Sequence, residues 1–143
     1  MRRTLAVVLV AWLACLPLPG AAQAGVSETE RGAIEVVINA PLDAFARNDA
    51  DAAYRLASPT IRALFPTPGI FMEMVRRAYL PVYRASEARF RPPEPTAEGI
   101  RQPVVLRGPD QRLWLAFYSM QQQPDGGFLI DGCMLVALPD AGA

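Results

Sequence analysis

Histidine and lysine are absent from the 143 residues, and cysteine occurs only at Cys15 and Cys133. Without imidazole there is no His acid–base catalysis, no His-ligated metal and no triad built on His; without lysine there is no Schiff-base chemistry. All 14 basic side chains are therefore Arg. Gly-x-Ser-x-Gly, a phosphate-binding loop, a dinucleotide fingerprint and paired Cys are missing as well. The stretch "RNDADAAY" lacks the glycine and the distal Glu of a calcium loop and is better read as a helix cap. No cofactor and no metal is expected.

The amino terminus is informative. Met1-Arg2-Arg3 precedes the apolar "TLAVVLVAWLACL", and "PLPGAAQAG" follows with small residues at Ala22 and Ala24. That order is a secretory signal peptide, cleaved after Ala24. Its apolar run is about 13 residues, short of the roughly 20 that cross a bilayer as a helix, and no later run is longer. The expectation is an exported protein, periplasmic or secreted, with no membrane span in the mature chain. Lipoprotein processing at Cys15 is the alternative, although Trp12 stands where a smaller aliphatic is usual.

Residues 1–24 are thus read as leader and 25–143 as one domain, large enough to bury roughly two-thirds of its unfolded surface. Losing Arg2 and Arg3 leaves 12 basic against 14 acidic side chains. A slightly acidic chain gives no electrostatic case for nucleic acid or anionic membrane. Cys133 stands alone after cleavage, so it forms no intramolecular disulfide; within "LIDGCMLVAL" it is a buried small hydrophobe or else a free thiol.

Ser27 with Glu30 three residues on forms a capping box, and Ile34, Val37, Ile38, Leu42 and Phe45 recur at helical spacing, which predicts a helix over about 27–47 with a kink at Pro41. A short second helix carries Ala53, Tyr54 and Leu56. Ser58-Pro59 and Thr67-Pro68 each place an N-cap before a proline at the first helical position, so two more helices start there. Pro81 limits the last of them. The period then changes to that of strands: "ARFR", a Pro-rich connection, "QPVVLRG", "LWLAFYSMQQQ", and, after a "PDGG" turn, "FLIDGCMLVAL". Helices first and an antiparallel meander last is an α+β arrangement of about four strands, with the helices on one face. The last two strands are apolar on both faces, which points to a homodimer through the outer sheet face.

The strings "ASPTIRALF", "FMEMVRRAYLPVYR", "QPVVLRG", "LWLAFYSMQQQ" and "DGCMLVAL" resemble a bacterial family known as domain of unknown function 4864, itself similar to the nuclear-transport-factor-two-like, or SnoaL-like, superfamily. The resemblance runs over roughly 55–138, and the first helix fits by position. It implies a cone-shaped domain: N-terminal helices packed in a strongly curved antiparallel sheet, with a pocket at the wide end. That superfamily contains isomerases, cyclases and dehydratases beside members that bind or assemble, so the fold does not choose a function. No motif matches the ketosteroid-isomerase branch position by position, and no catalytic residue is carried over.

Wound as one helix, residues 71–83 put Phe71, Met74, Val75, Ala78 and Val82 on one stripe and Met72, Arg76, Tyr79 and Tyr83 on its neighbour. The second stripe is a candidate pocket wall, aromatic with one cation, suited to a small apolar or anionic ligand. Alternatively Arg76 forks onto a carboxylate, or onto carbonyls freed by Pro81, and braces the helix end. Glu73 and Arg77 read as an exposed pair four apart. Trp114 and Tyr118 point the same way from their strand, toward core, interface or ligand. Asp131 interrupts an apolar strand before Gly132: buried and unpaired it would serve as general acid or base, whereas a bulge or a partnering Arg would make it structural.

Three functions follow. The first is a non-catalytic binding domain with a pocket of Met72, Arg76, Tyr79, Tyr83, Trp114 and Tyr118. The second is an isomerase- or lyase-like enzyme with Asp131 as base and Tyr118 or Tyr79 as donor. The third is an envelope protein–protein interaction module.

Overall fold

The computed structural model describes residues 25–140; the expected signal peptide and Cys15 lie outside them. Helix α1 spans Glu28–Ala46. Ser27 Oγ accepts from the Glu30 amide at 3.2 Å, and the Glu30 carboxylate accepts from the Ser27 amide at 2.9 Å, so the expected capping box forms. The helix runs through Pro41, whose ring is buried, and turns Ile34, Ile38, Ala44 and Phe45 inward. Asp49 caps α2 (Ala50–Tyr54), accepting from the Ala52 amide at 3.0 Å.

Helices α3 (Pro59–Leu64) and α4 (Pro68–Ala78) begin as the sequence indicates, on Ser58 and Thr67 with proline in the first turn. A fifth element was not foreseen. Helix α4 stops at Tyr79, whose backbone leaves the helical region (φ −129°, ψ 44°), and Pro81 then opens a one-turn helix α5 (Leu80–Tyr83). Proline forbids continuation but suits a first turn, so one residue both ends a helix and starts another.

The strands are β1 (Glu87–Phe90), β2 (Glu94–Thr96), β3 (Gly99–Arg107), β4 (Leu113–Gln122) and β5 (Phe128–Ala137). They make one antiparallel sheet of order β1-β3-β4-β5, with β2 also on β3. The fold is α+β, but with five strands rather than about four. The extra one lies in the connection dismissed as Pro-rich: Pro95 pairs with Ile100 on an edge strand, where a missing N–H costs no ladder bond.

Alternation sends Val104, Leu106, Ala116, Tyr118 and Met120 into the core, where α1 packs on β5 and α5 on β3. The residues between them, Val105, Leu115, Phe117, Met134 and Val136, form the other face, with Met134 56% and Val136 43% exposed. The ladder slips once. Ser119 pairs with Gly132 and Met120 with Ile130, which leaves Asp131 as the extra residue of a bulge.

Candidate functional site

A cavity of about 140 Å³ lies between the helices and the inner face of β4 and β5. Helix α1 contributes Pro41 and Phe45, and the α2–α3 region contributes Ala53, Ala57, Ile61 and Phe65. Phe71, Met74 and Val75 come from α4, followed by Tyr79 and Val82. The sheet supplies Tyr118 from β4 and Ile130, Gly132 and Cys133 from β5. Phe71 is the aromatic hub of this wall, its ring centroid 5.6 Å from Tyr54 and 6.4 Å from both Phe45 and Phe65. No charged side chain belongs to the lining.

Its polar side-chain groups are two phenols and a thiol. Tyr118 and Cys133 are direct cross-strand partners, and Tyr118 is only 4% exposed. Burial, reinforced by Cys133, holds the Tyr118 hydroxyl well above its ordinary ionisation range. The Cys133 thiol is pushed up to about 12 by burial, with the Tyr118 hydroxyl pulling it partway back. Tyr79 is raised too, by burial first and by Cys133 second. At neutral pH all three are protonated, so the thiol is not poised as a nucleophile. On the other side of Tyr118, across β3, stands fully buried Gln102. Its amide nitrogen donates to the Arg91 and Pro103 carbonyls at 2.6 and 2.9 Å, and its Oε1 has no partner.

Of the six residues expected to form a pocket, Tyr79 and Tyr118 line this cavity; Met72, Arg76, Tyr83 and Trp114 do not. The expected stripe assumed an unbroken helix from 71 to 83, and the stop at Tyr79 changes the phase beyond it. Met72 is buried in the core with Val75, and Ala78, assigned to the core stripe, is exposed. Arg76 is exposed, 3.8 Å from Glu73 and 5.9 Å from the centre of the Tyr83 ring. Glu73 takes Arg77 at 2.6 Å, the surface pair that their spacing suggests. Tyr83 is buried elsewhere, donating to Asn48 Oδ1 with its ring 6.0 Å from Phe45 and under the Arg84 guanidinium at 3.8 Å. Trp114 shares the inward side of β4 with Tyr118 but lies about 13 Å further along the strand.

Asp131 is not in the cavity wall either, although its neighbours on both sides are. The bulge turns it to the start of α3, where Ser58 Oγ donates to Asp131 Oδ1 at 2.6 Å. The chain is strapped to β5 at the same place: Ser58 N donates to the Ile130 carbonyl and Ile130 N to the Leu56 carbonyl, each at 2.8 Å. Acid and phenol therefore do not meet across the cavity. The wall residues that the sequence reading missed, Phe45, Phe65, Phe71 and Met74 among them, carried the signal of ordinary core periodicity, which does not separate a lining from a packed interior.

The family described as Domain of unknown function (DUF4864) matches residues 27–143. The chain belongs to this family. Its match takes in the five helices and five strands of the described residues, and with them the residues that line the cavity. No curated protein and no solved structure matches the DUF4864 chain. Among the described residues no helix is long and apolar enough to cross a membrane, and no group of three or more Cys, Asp or Glu could hold a metal ion.

Proposed function

We propose that this DUF4864 domain is a non-catalytic binding module that takes a small, mainly apolar molecule between its helices and the β4–β5 pair. The observation that carries this reading is the uncharged wall of the cavity of about 140 Å³. A carbon-lined space of this size is not stabilised by water, and it is close to that which holds one six-membered ring. The likeness to the SnoaL-like superfamily and the signal peptide support placing this role in an exported, cone-shaped domain. An enzyme of the same shape has less support, because Asp131 engages Ser58 away from the wall.

A second reading concerns assembly. Exposed Met134 and Val136 adjoin Leu115, Phe117 and Val105 on the sheet face that no helix covers, and this supports a homodimer formed face to face.

Benzene titration tests the binding role. A ligand that binds only the folded state raises the melting temperature, and does so further as its concentration climbs above its dissociation constant. Benzene should stabilise the protein, and Ala57→Leu, which fills the cavity, should abolish that response while leaving the fold intact. No stabilisation near benzene saturation, or an undiminished response in the filled variant, contradicts the proposal.

A further inference from the structure

The four tyrosines of the described chain fall into two classes. Tyr54 donates to the Phe65 carbonyl at 2.6 Å and Tyr83 donates to Asn48 Oδ1, both outside the cavity wall. The two in the wall, Tyr79 and Tyr118, donate to no oxygen or nitrogen among the described residues. Tyr79 is half-buried and water can reach it. Tyr118 is 4% exposed, and a buried phenol ordinarily has a hydrogen-bond partner; its hydroxyl is not among the buried side-chain atoms left without one, and the group it bonds is Cys133. Its cross-strand neighbour Cys133 offers a thiol sulfur, a weak acceptor.

The wall thus presents donors without good acceptors. Two phenols and a thiol, all protonated at neutral pH, stand among lining side chains that are otherwise apolar. No guanidinium lies in the lining to offset a buried anion, which would be costly to hold there. An amine or ammonium group would likewise find no carboxylate. What such a surface lacks is a neutral oxygen with free lone pairs.

We propose that the occupant is an uncharged molecule of about one ring's size that carries a carbonyl oxygen, bound by the Tyr118 hydroxyl with its carbon body against Phe45, Phe71 and Met74. This rests on the cavity being a ligand site, and it adds the chemical class. It also replaces the anionic ligand expected at Arg76, because that guanidinium is outside the wall. Tyr79, at the half-buried end, is the second donor available to the same oxygen.

The test compares three probes of similar size, cyclohexanone, methylcyclohexane and cyclohexanecarboxylate, by calorimetric titration at neutral pH. The ketone should bind about tenfold more tightly than the hydrocarbon, the gain expected from one desolvated hydrogen bond. The carboxylate should not bind. Tyr118→Phe keeps the ring and removes the donor, so it should erase the ketone's advantage and leave the hydrocarbon's affinity unchanged. Equal affinity for ketone and hydrocarbon in the wild type, or an advantage that survives in Tyr118→Phe, overturns the assignment while leaving the cavity as an apolar site. If neither neutral probe binds, the ligand site itself falls. Should the variant not fold, the infrared carbonyl stretch of cyclohexanone bound to the wild type decides: a shift to lower wavenumber supports the bond, and an unshifted band overturns it.

Discussion

Ser58 Oγ donates to Asp131 Oδ1 at 2.6 Å across a separation of 73 residues, joining the N-cap of α3 to the bulge of β5. The same hydroxyl accepts from the Ile61 amide at 3.2 Å, so one fully buried oxygen starts a helix and anchors it to the sheet. Ser58→Ala removes both bonds and leaves the carboxylate without that donor. The expected loss is about 2 kcal/mol in urea unfolding, with coupling to Asp131→Ala in a double-mutant cycle. A loss below about 0.5 kcal/mol, or strict additivity, contradicts the role given to this bond.

Two arginines near one ring should behave differently. Arg84 donates to the Phe45 carbonyl at 2.6 Å and to Asn48 Oδ1 at 2.7 Å while lying 3.8 Å over Tyr83, so it closes the end of α1. Arg84→Ala should cost about 2 kcal/mol. Arg76 is exposed beside Glu73, and Arg76→Ala should stay within about 0.5 kcal/mol of wild type and leave ligand affinity unchanged. Chemical denaturation of the two variants side by side checks this.

These contrasts show what the chain made legible. Helix starts were readable because their chemistry is local: Ser27, Ser58 and Thr67 each cap within three residues, and Pro59 and Pro68 follow their caps. Strands β1, β3, β4 and β5 were readable from period and turns, though β3 begins earlier than "QPVVLRG", because β2 pairs with its first residues. Strand β2 was hidden by its proline, whose tolerance depends on being at an edge. The cavity was least legible. Its wall is the stripe of Phe71, Met74, Val75 and Val82 that the spacing assigns to an ordinary core, and periodicity does not tell a lining from a packed interior; only Tyr83, beyond the stop at Tyr79, was displaced by the break in the helix. Asp131 was ambiguous for a similar reason, since a bulge is a property of two paired strands.

Alkaline pH should destabilise the fold through Cys133. In the unfolded chain the thiol ionises near its ordinary value of 9.0, whereas burial keeps it protonated up to about 12 in the folded one. Above pH 9 the unfolded state therefore holds fewer protons than the folded state, so stability falls as pH rises, by about 1 kcal/mol per unit, with no effect from this group below that window. Melting curves between pH 8 and pH 11 should show the decline, and Cys133→Ala should make it shallower. An equally steep decline in the variant contradicts the assignment.

Assembly through the outer sheet face predicts that a charge at its centre separates the copies. Met134 pairs with Phe117 in the ladder and is more than half exposed, so Met134→Glu should leave the fold intact. Sedimentation velocity should give a dimer for the wild type and a monomer for the variant. A wild type that sediments as a monomer at all concentrations contradicts the face-to-face dimer.

The central claim is that a small apolar guest can occupy the space between Phe71 and Tyr118. Diffraction from crystals pressurised with xenon tests it most directly, because xenon enters carbon-lined cavities of this size without needing a polar contact. The account predicts an anomalous peak in the cavity of about 140 Å³ that disappears in Ala57→Leu. Side chains of Phe71, Met74 and Tyr118 packed together with no xenon between them would contradict it.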